Sequence, residues 1–127
     1  MWKIHWEAMK RIIELGYQDK VLARYNSNMS RIQYFKYNLF DDILKYFPNF
    51  QICASIDGTG EVGEYIRTGF QYKKFFDNMD RVLDEFKNYD NFVVTLMCTY
   101  NALSVTSFKE YLQDLVALRK KYSKDCI

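Results

Sequence analysis

Three strand-length segments, each preceded by a stretch of helical periodicity, constrain the fold of this chain more than any other feature. Residues 50–56 (FQICASI) alternate strictly, so Phe50, Ile52, Ala54 and Ile56 face one way and Gln51, Cys53 and Ser55 the other. Residues 92–98 (FVVTLMC) are almost continuously apolar, the pattern of a strand covered on both faces in a parallel sheet. Residues 21–25 (VLARY) form a third candidate strand, closed by the turn-forming run Asn26, Ser27, Asn28.

Helical spacing fills the intervals. Trp2, Trp6, Met9 and Ile13 lie on one face of a first helix that Gly16 stops. Leu39, Phe40, Ile43, Leu44 and Phe47 mark a second, with Asn38 as N-cap and Pro48 after its end. Phe75, Phe76, Met79, Val82, Leu83 and Phe86 predict a third over residues 73–88. Ser107 and Glu110 have capping-box spacing ahead of a last helix carrying Phe108, Leu112, Leu115 and Leu118. The expected fold is α/β: one domain over residues 1–127, with a parallel sheet of about three strands alternating with helices.

Composition narrows the function classes. The 18 basic and 16 acidic side chains leave a net charge of +2, too weak a field to argue for nucleic acid. The run Arg119, Lys120, Lys121, Tyr122, Ser123, Lys124 is a small basic cluster of the kind that decorates a helix C-terminus. No window approaches the roughly 18 apolar residues of a membrane span, and the N-terminus lacks a signal-peptide core, so a cytoplasmic protein with no membrane partner is expected. Cys53, Cys98 and Cys126 are odd in number and have no metal-ligand spacing. His5, the single histidine, sits on a helical stretch between two tryptophans, a setting for a surface or partly buried residue rather than a catalytic base.

Polar residues gather where the strands end. Asn26, Ser27 and Asn28 follow the first, Ser55 and Asp57 the second, Thr99 and Asn101 the third. Each set could be simple turn chemistry, but in parallel α/β folds ligands collect at the C-terminal ends of strands, and three such exits side by side would form one hydrogen-bonding floor. Gly58, Gly60 and Gly63 also match G-x-G-x-x-G after a strand. Asp57 would crowd a pyrophosphate there, and no long apolar helix follows, so a dinucleotide site is not expected.

The segment Cys53 to Val82 resembles the fourth strand and following loop of the radical SAM superfamily, especially its SPASM and twitch members. The residues that carry the likeness are Ser55-Ile56-Asp57-Gly58, then Glu64-Tyr65-Ile66-Arg67-Thr68-Gly69, then Asn78. Arg24 to Asn28 is similar to the exit of that family's third strand, and Val93 to Val105 to its fifth strand and exit. The resemblance implies a partial (β/α)6 TIM-like barrel that binds S-adenosylmethionine beside a [4Fe-4S] cluster and generates a 5′-deoxyadenosyl radical. It implies that Asn28 and Ser55 touch the cosubstrate and that Arg67 pairs with its carboxylate. Asp57 would orient the loop or accept from a hydroxyl, with Thr99 and Asn101 nearer the adenosine ribose or substrate. A guanidinium suits a carboxylate because it offers two parallel donors; the plainer alternative is an ion pair between Arg67 and Glu64.

The C-x3-C-x2-C motif that holds the family's cluster is missing, as are its first two strands, so 127 residues cover about half of the six-stranded barrel. Two function classes follow. One is the S-adenosylmethionine-binding portion of a radical enzyme, inactive by itself and completed by a second chain. The other is a non-catalytic α/β module that docks a partner.

Overall fold

The computed structural model describes residues 3–122 and 127; Trp2, Cys126 and the end of the basic cluster lie outside the described residues. The chain opens with α1 (Lys3–Glu14), which buries Trp6 and Met9. Its end is a Schellman motif: Gly16 is left-handed (φ 71°), its N–H reaches the Ile13 carbonyl, and the Tyr17 N–H reaches that of Ile12. The first strand, β1 (Ala23–Ser27), lies two residues later than the sequence predicts.

A feature that periodicity did not reveal follows. Gln33–Tyr34 (β2) and Tyr37–Asn38 (β3) form a small antiparallel hairpin, and both tyrosines stack on Trp6. Asn38 then caps α2 (Leu39–Asp42), its side-chain oxygen accepting from the N–H groups of Phe40 and Asp41. The expected second helix is much shorter than its pattern, passing through a distorted Ile43 to a single 3-10 turn at Leu44–Tyr46. Phe47 is extended ahead of Pro48, as the ring of a following proline demands. All five apolar residues of that pattern are nonetheless buried.

The remaining elements are β4 (Asn49–Ser55), α3 (Gly60–Ile66), α4 (Tyr72–Phe86), β5 (Asn91–Met97) and α5 (Phe108–Lys121). Strands β1, β4 and β5 form a parallel sheet in that order, in register Tyr25 to Ile52 to Val94. One face carries Ala23, Tyr25, Phe50, Ile52, Ala54, Phe92 and Val94, all buried. Helix α1 reaches that face where His5 meets Tyr25, α4 where Phe86 packs edge-on to Phe50, and α5 where Tyr111 joins the same buried core.

With α1, α4 and α5 all packed on one side, the sheet is covered by helices on a single face. Its opposite face stays open: Arg24, Asn26, Val93, Thr95 and Met97 are exposed and Gln51, Cys53 and Ser55 are half-buried. This corrects the expectation for residues 92–98. The strand is an edge strand buried on one face only, with Val93 41% and Met97 50% exposed. The last helix is corrected too, because its buried residues are Tyr111 and Leu118 while Leu112 is exposed.

Candidate functional site

The loop after β4 is built by close backbone approach. Gly63 lies on the inner side of α3, where a Cβ would stand 2.3 Å from the carbonyl oxygen of Gly58. At Gly58 a Cβ would stand 3.0 Å from the Ser107 hydroxyl. The glycines of the G-x-G-x-x-G match thus serve to fold α3 back on its own loop, and the helix they begin has only seven residues. Ser107 does not form the expected capping box; its hydroxyl accepts from the Thr59 N–H, tying the start of α5 to the β4 exit.

Folding α3 back brings Arg67 over the end of β4. Its Nη1 lies 2.6 Å from Asp57 Oδ2, while Asp57 Oδ1 accepts from the Thr99 N–H at 2.9 Å. Asp57 therefore links the β4 exit, the end of α3 and the β5 exit. Asn101 extends the network: its Nδ2 donates to the Thr99 carbonyl and its Oδ1 accepts from the Leu103 N–H. Glu64, the plainer partner for Arg67, instead accepts from the Tyr72 N–H. Four of the six expected site residues, Asp57, Arg67, Thr99 and Asn101, thus form one connected cluster.

The other two stand apart from it. Ser55 ends β4 half-buried opposite Met97, with no side-chain hydrogen bond to a described residue. Asn28 folds the β1 exit into an Asx turn, its Oδ1 accepting from the Ser30 N–H at 3.2 Å. It lines a cavity of about 600 Å³ with His5, Arg24 and Arg31, and Thr68 and Gly69 close the cavity from the far side. Arg67 immediately precedes those two residues in the chain but does not line the cavity itself.

Two residues gain importance from the structure. Met29, fully buried, sits in the left-handed region (φ 53°), which disfavours a side chain of this size. Its N–H donates to the Ser27 hydroxyl at 3.0 Å, and its carbonyl accepts from Asn78 Nδ2 at 2.6 Å. The sequence signal for Asn78 is an amide beside the apolar stripe of Phe75, Met79 and Val82. His5 is the second, with Nε2 3.0 Å from the Tyr25 hydroxyl. Burial lowers the His5 pKa and raises that of Tyr25, so both are neutral near pH 7.

Cys53 and Cys98, the cysteines among the described residues, lie on different faces of the sheet. Cys53 lies on the open face, between Asn26 and Thr95 in the register, whereas Cys98 packs against the core on the helix-covered side. No group of three or more His, Cys, Asp or Glu side chains suited to a metal ion occurs among the described residues. No helix among the described residues is long and apolar enough to cross a membrane. In comparisons with known proteins, the chain matches no family model, no curated protein and no solved structure.

Proposed function

We propose that this chain is the S-adenosylmethionine-binding portion of a radical SAM enzyme of the cytoplasm, folded as part of a (β/α)6 barrel. The observation that carries the reading is the Asp57–Arg67 pair at the strand exits, within the residues that resemble the family's cosubstrate loop. An aspartate and an arginine side by side complement a zwitterionic amino acid. Arg67 has one side-chain partner among the described residues, so its remaining donors can take the carboxylate while Asp57 faces the ammonium group. A sheet with helices on a single face and a polar open face also suits a barrel segment, whose helices all lie outside.

The cysteine placement leaves cluster chemistry outside this reading, which concerns cosubstrate binding by this chain and assigns the cluster ligands to a second chain. The edges of β1 and β5 are both unpaired among the described residues, and either could receive it. Calorimetric titration of the full chain with S-adenosylmethionine tests the proposal. Binding that weakens about tenfold or more in Arg67→Ala is expected. Absence of binding, or binding indifferent to Arg67→Ala, overturns it and leaves the partner-docking module as the surviving reading.

A further inference from the structure

Of the six arginines, Arg11, Arg67 and Arg81 are each held by a carboxylate, whereas Arg24, Arg31 and Arg119 make neither an ion pair nor a side-chain hydrogen bond with any described residue; of those three, Arg24 and Arg31 share one cavity. Both line the cavity of about 600 Å³ along β1, and no carboxylate lines it with them. Both guanidinium groups are exposed, and an anion bound there would supply the counter-charge that no lining side chain provides. The other polar groups there suit the same partner, since the side chains of Asn26 and Asn28 can donate to oxygen.

The loop that carries Arg31 is unusually well braced. Met29 is held in its left-handed conformation by Ser27 on one side and by Asn78 of α4 on the other, and the Asx turn of Asn28 fixes Ser30. The Ser30 hydroxyl in turn accepts from the Gln71 N–H at 2.8 Å, joining this loop to the start of α4. Strain of this kind persists only where the surroundings enforce it, and here it fixes the backbone position from which Arg31 projects. Arg24 is placed by the sheet itself, in register with Gln51.

We infer that Arg24 and Arg31 form an oxyanion-binding site for the phosphate or carboxylate group of a small molecule, separate from the Asp57–Arg67 pair. The guanidinium fork matches both groups, and the cavity runs along the edge strand β1 from Arg24 to the exit residue Asn28, so both forks can reach one ligand. This inference does not depend on cosubstrate binding by Arg67.

The test is calorimetric titration of the full chain with inorganic phosphate and, separately, with malonate, each against chloride at matched ionic strength. Saturable binding of one oxyanion is expected, with the tighter of the two assigning the class. Arg24→Gln and Arg31→Gln should each weaken it by about tenfold or more. Arg31→Lys, which keeps the charge and loses the fork, should fall between. Lys109→Gln, on the exposed side of α5, should leave binding unchanged, and circular dichroism confirms folding of each variant. No saturable binding, or binding equal in wild type and both glutamine variants, overturns the inference. Competitive displacement of the oxyanion by S-adenosylmethionine overturns it as well, because the site would then be the cosubstrate's own carboxylate subsite.

Discussion

Asp57 and Arg67, ten residues apart, are joined at 2.6 Å by the folding back of α3, and the second oxygen of the same carboxylate holds the Thr99 N–H. Asp57 is the more buried partner, its side chain 12% exposed against 35% for Arg67. Removing the carboxylate orphans the Thr99 N–H and the guanidinium together, whereas removing the guanidinium leaves Asp57 with one bond. Asp57→Ala should therefore destabilise by about 1 kcal/mol, more than Arg67→Ala, with Asp57→Asn between them, because water can reach both released donors. Urea denaturation of the three variants checks the order.

His5 gives the chain a pH dependence of predictable sign. Burial holds its pKa below the ordinary 6.5, so the folded state resists a proton that the unfolded chain accepts. Its contribution is fully present above the unfolded value and is lost as the pH falls through the folded one. The Tm should fall on acidification from about pH 7 to 5, where carboxylates contribute little. Because His5 is the only histidine, His5→Gln should flatten that fall. A Tm that rises over the same interval would contradict the burial of the ring.

What could be read from the sequence was whatever depends on local pattern. The strict alternation of residues 50–56 located β4 to within a residue, Asn38 capped the helix it preceded, and Gly16 ended α1. What could not be read depends on which layers exist. The apolar run of residues 92–98 suits a doubly covered strand, but β5 lies at a sheet edge with helices on one side. Ser107 has capping-box spacing, yet Thr59, 48 residues away, claims its hydroxyl. In the site, Asp57 and Arg67 were legible as residues and not as partners, because their contact follows from the Gly58–Gly63 approach. Arg24 stood only within the Arg24–Asn28 segment and Arg31 in none, because the cavity that unites them is tertiary.

The last helix separates pattern from packing experimentally. Sequence spacing groups Leu112 with Phe108, Leu115 and Leu118 on a core stripe, while the fold buries Tyr111 (4% exposed) and leaves Leu112 46% exposed. Tyr111→Ala removes a ring from the interior and should cost about 3 kcal/mol. Leu112→Ala should change stability by less than about 0.5 kcal/mol. Thermal or urea unfolding of the pair decides between the two orientations of α5.

Two glycines in the same loop should respond in opposite order to what backbone conformation alone suggests. Gly60 is left-handed (φ 52°) with nothing within 4 Å of an added Cβ, so Gly60→Ala costs only the conformational penalty of roughly 1 kcal/mol. Gly63 lies within α3, and its Cβ would stand 2.3 Å from the Gly58 carbonyl oxygen and 3.2 Å from the Phe70 ring. Backbone cannot yield as a side chain does, so Gly63→Ala must push α3 outward and should cost about 3 kcal/mol. Arg67 follows directly at the end of α3, its N–H bonded to the Gly63 carbonyl at 3.2 Å, so the displacement carries the guanidinium away from Asp57. Hydrogen exchange should accordingly show faster exchange of the Thr99 amide in Gly63→Ala and unchanged exchange in Gly60→Ala. Equal behaviour of the two variants would mean that the close approach of Gly58 and Gly63 does not position Arg67.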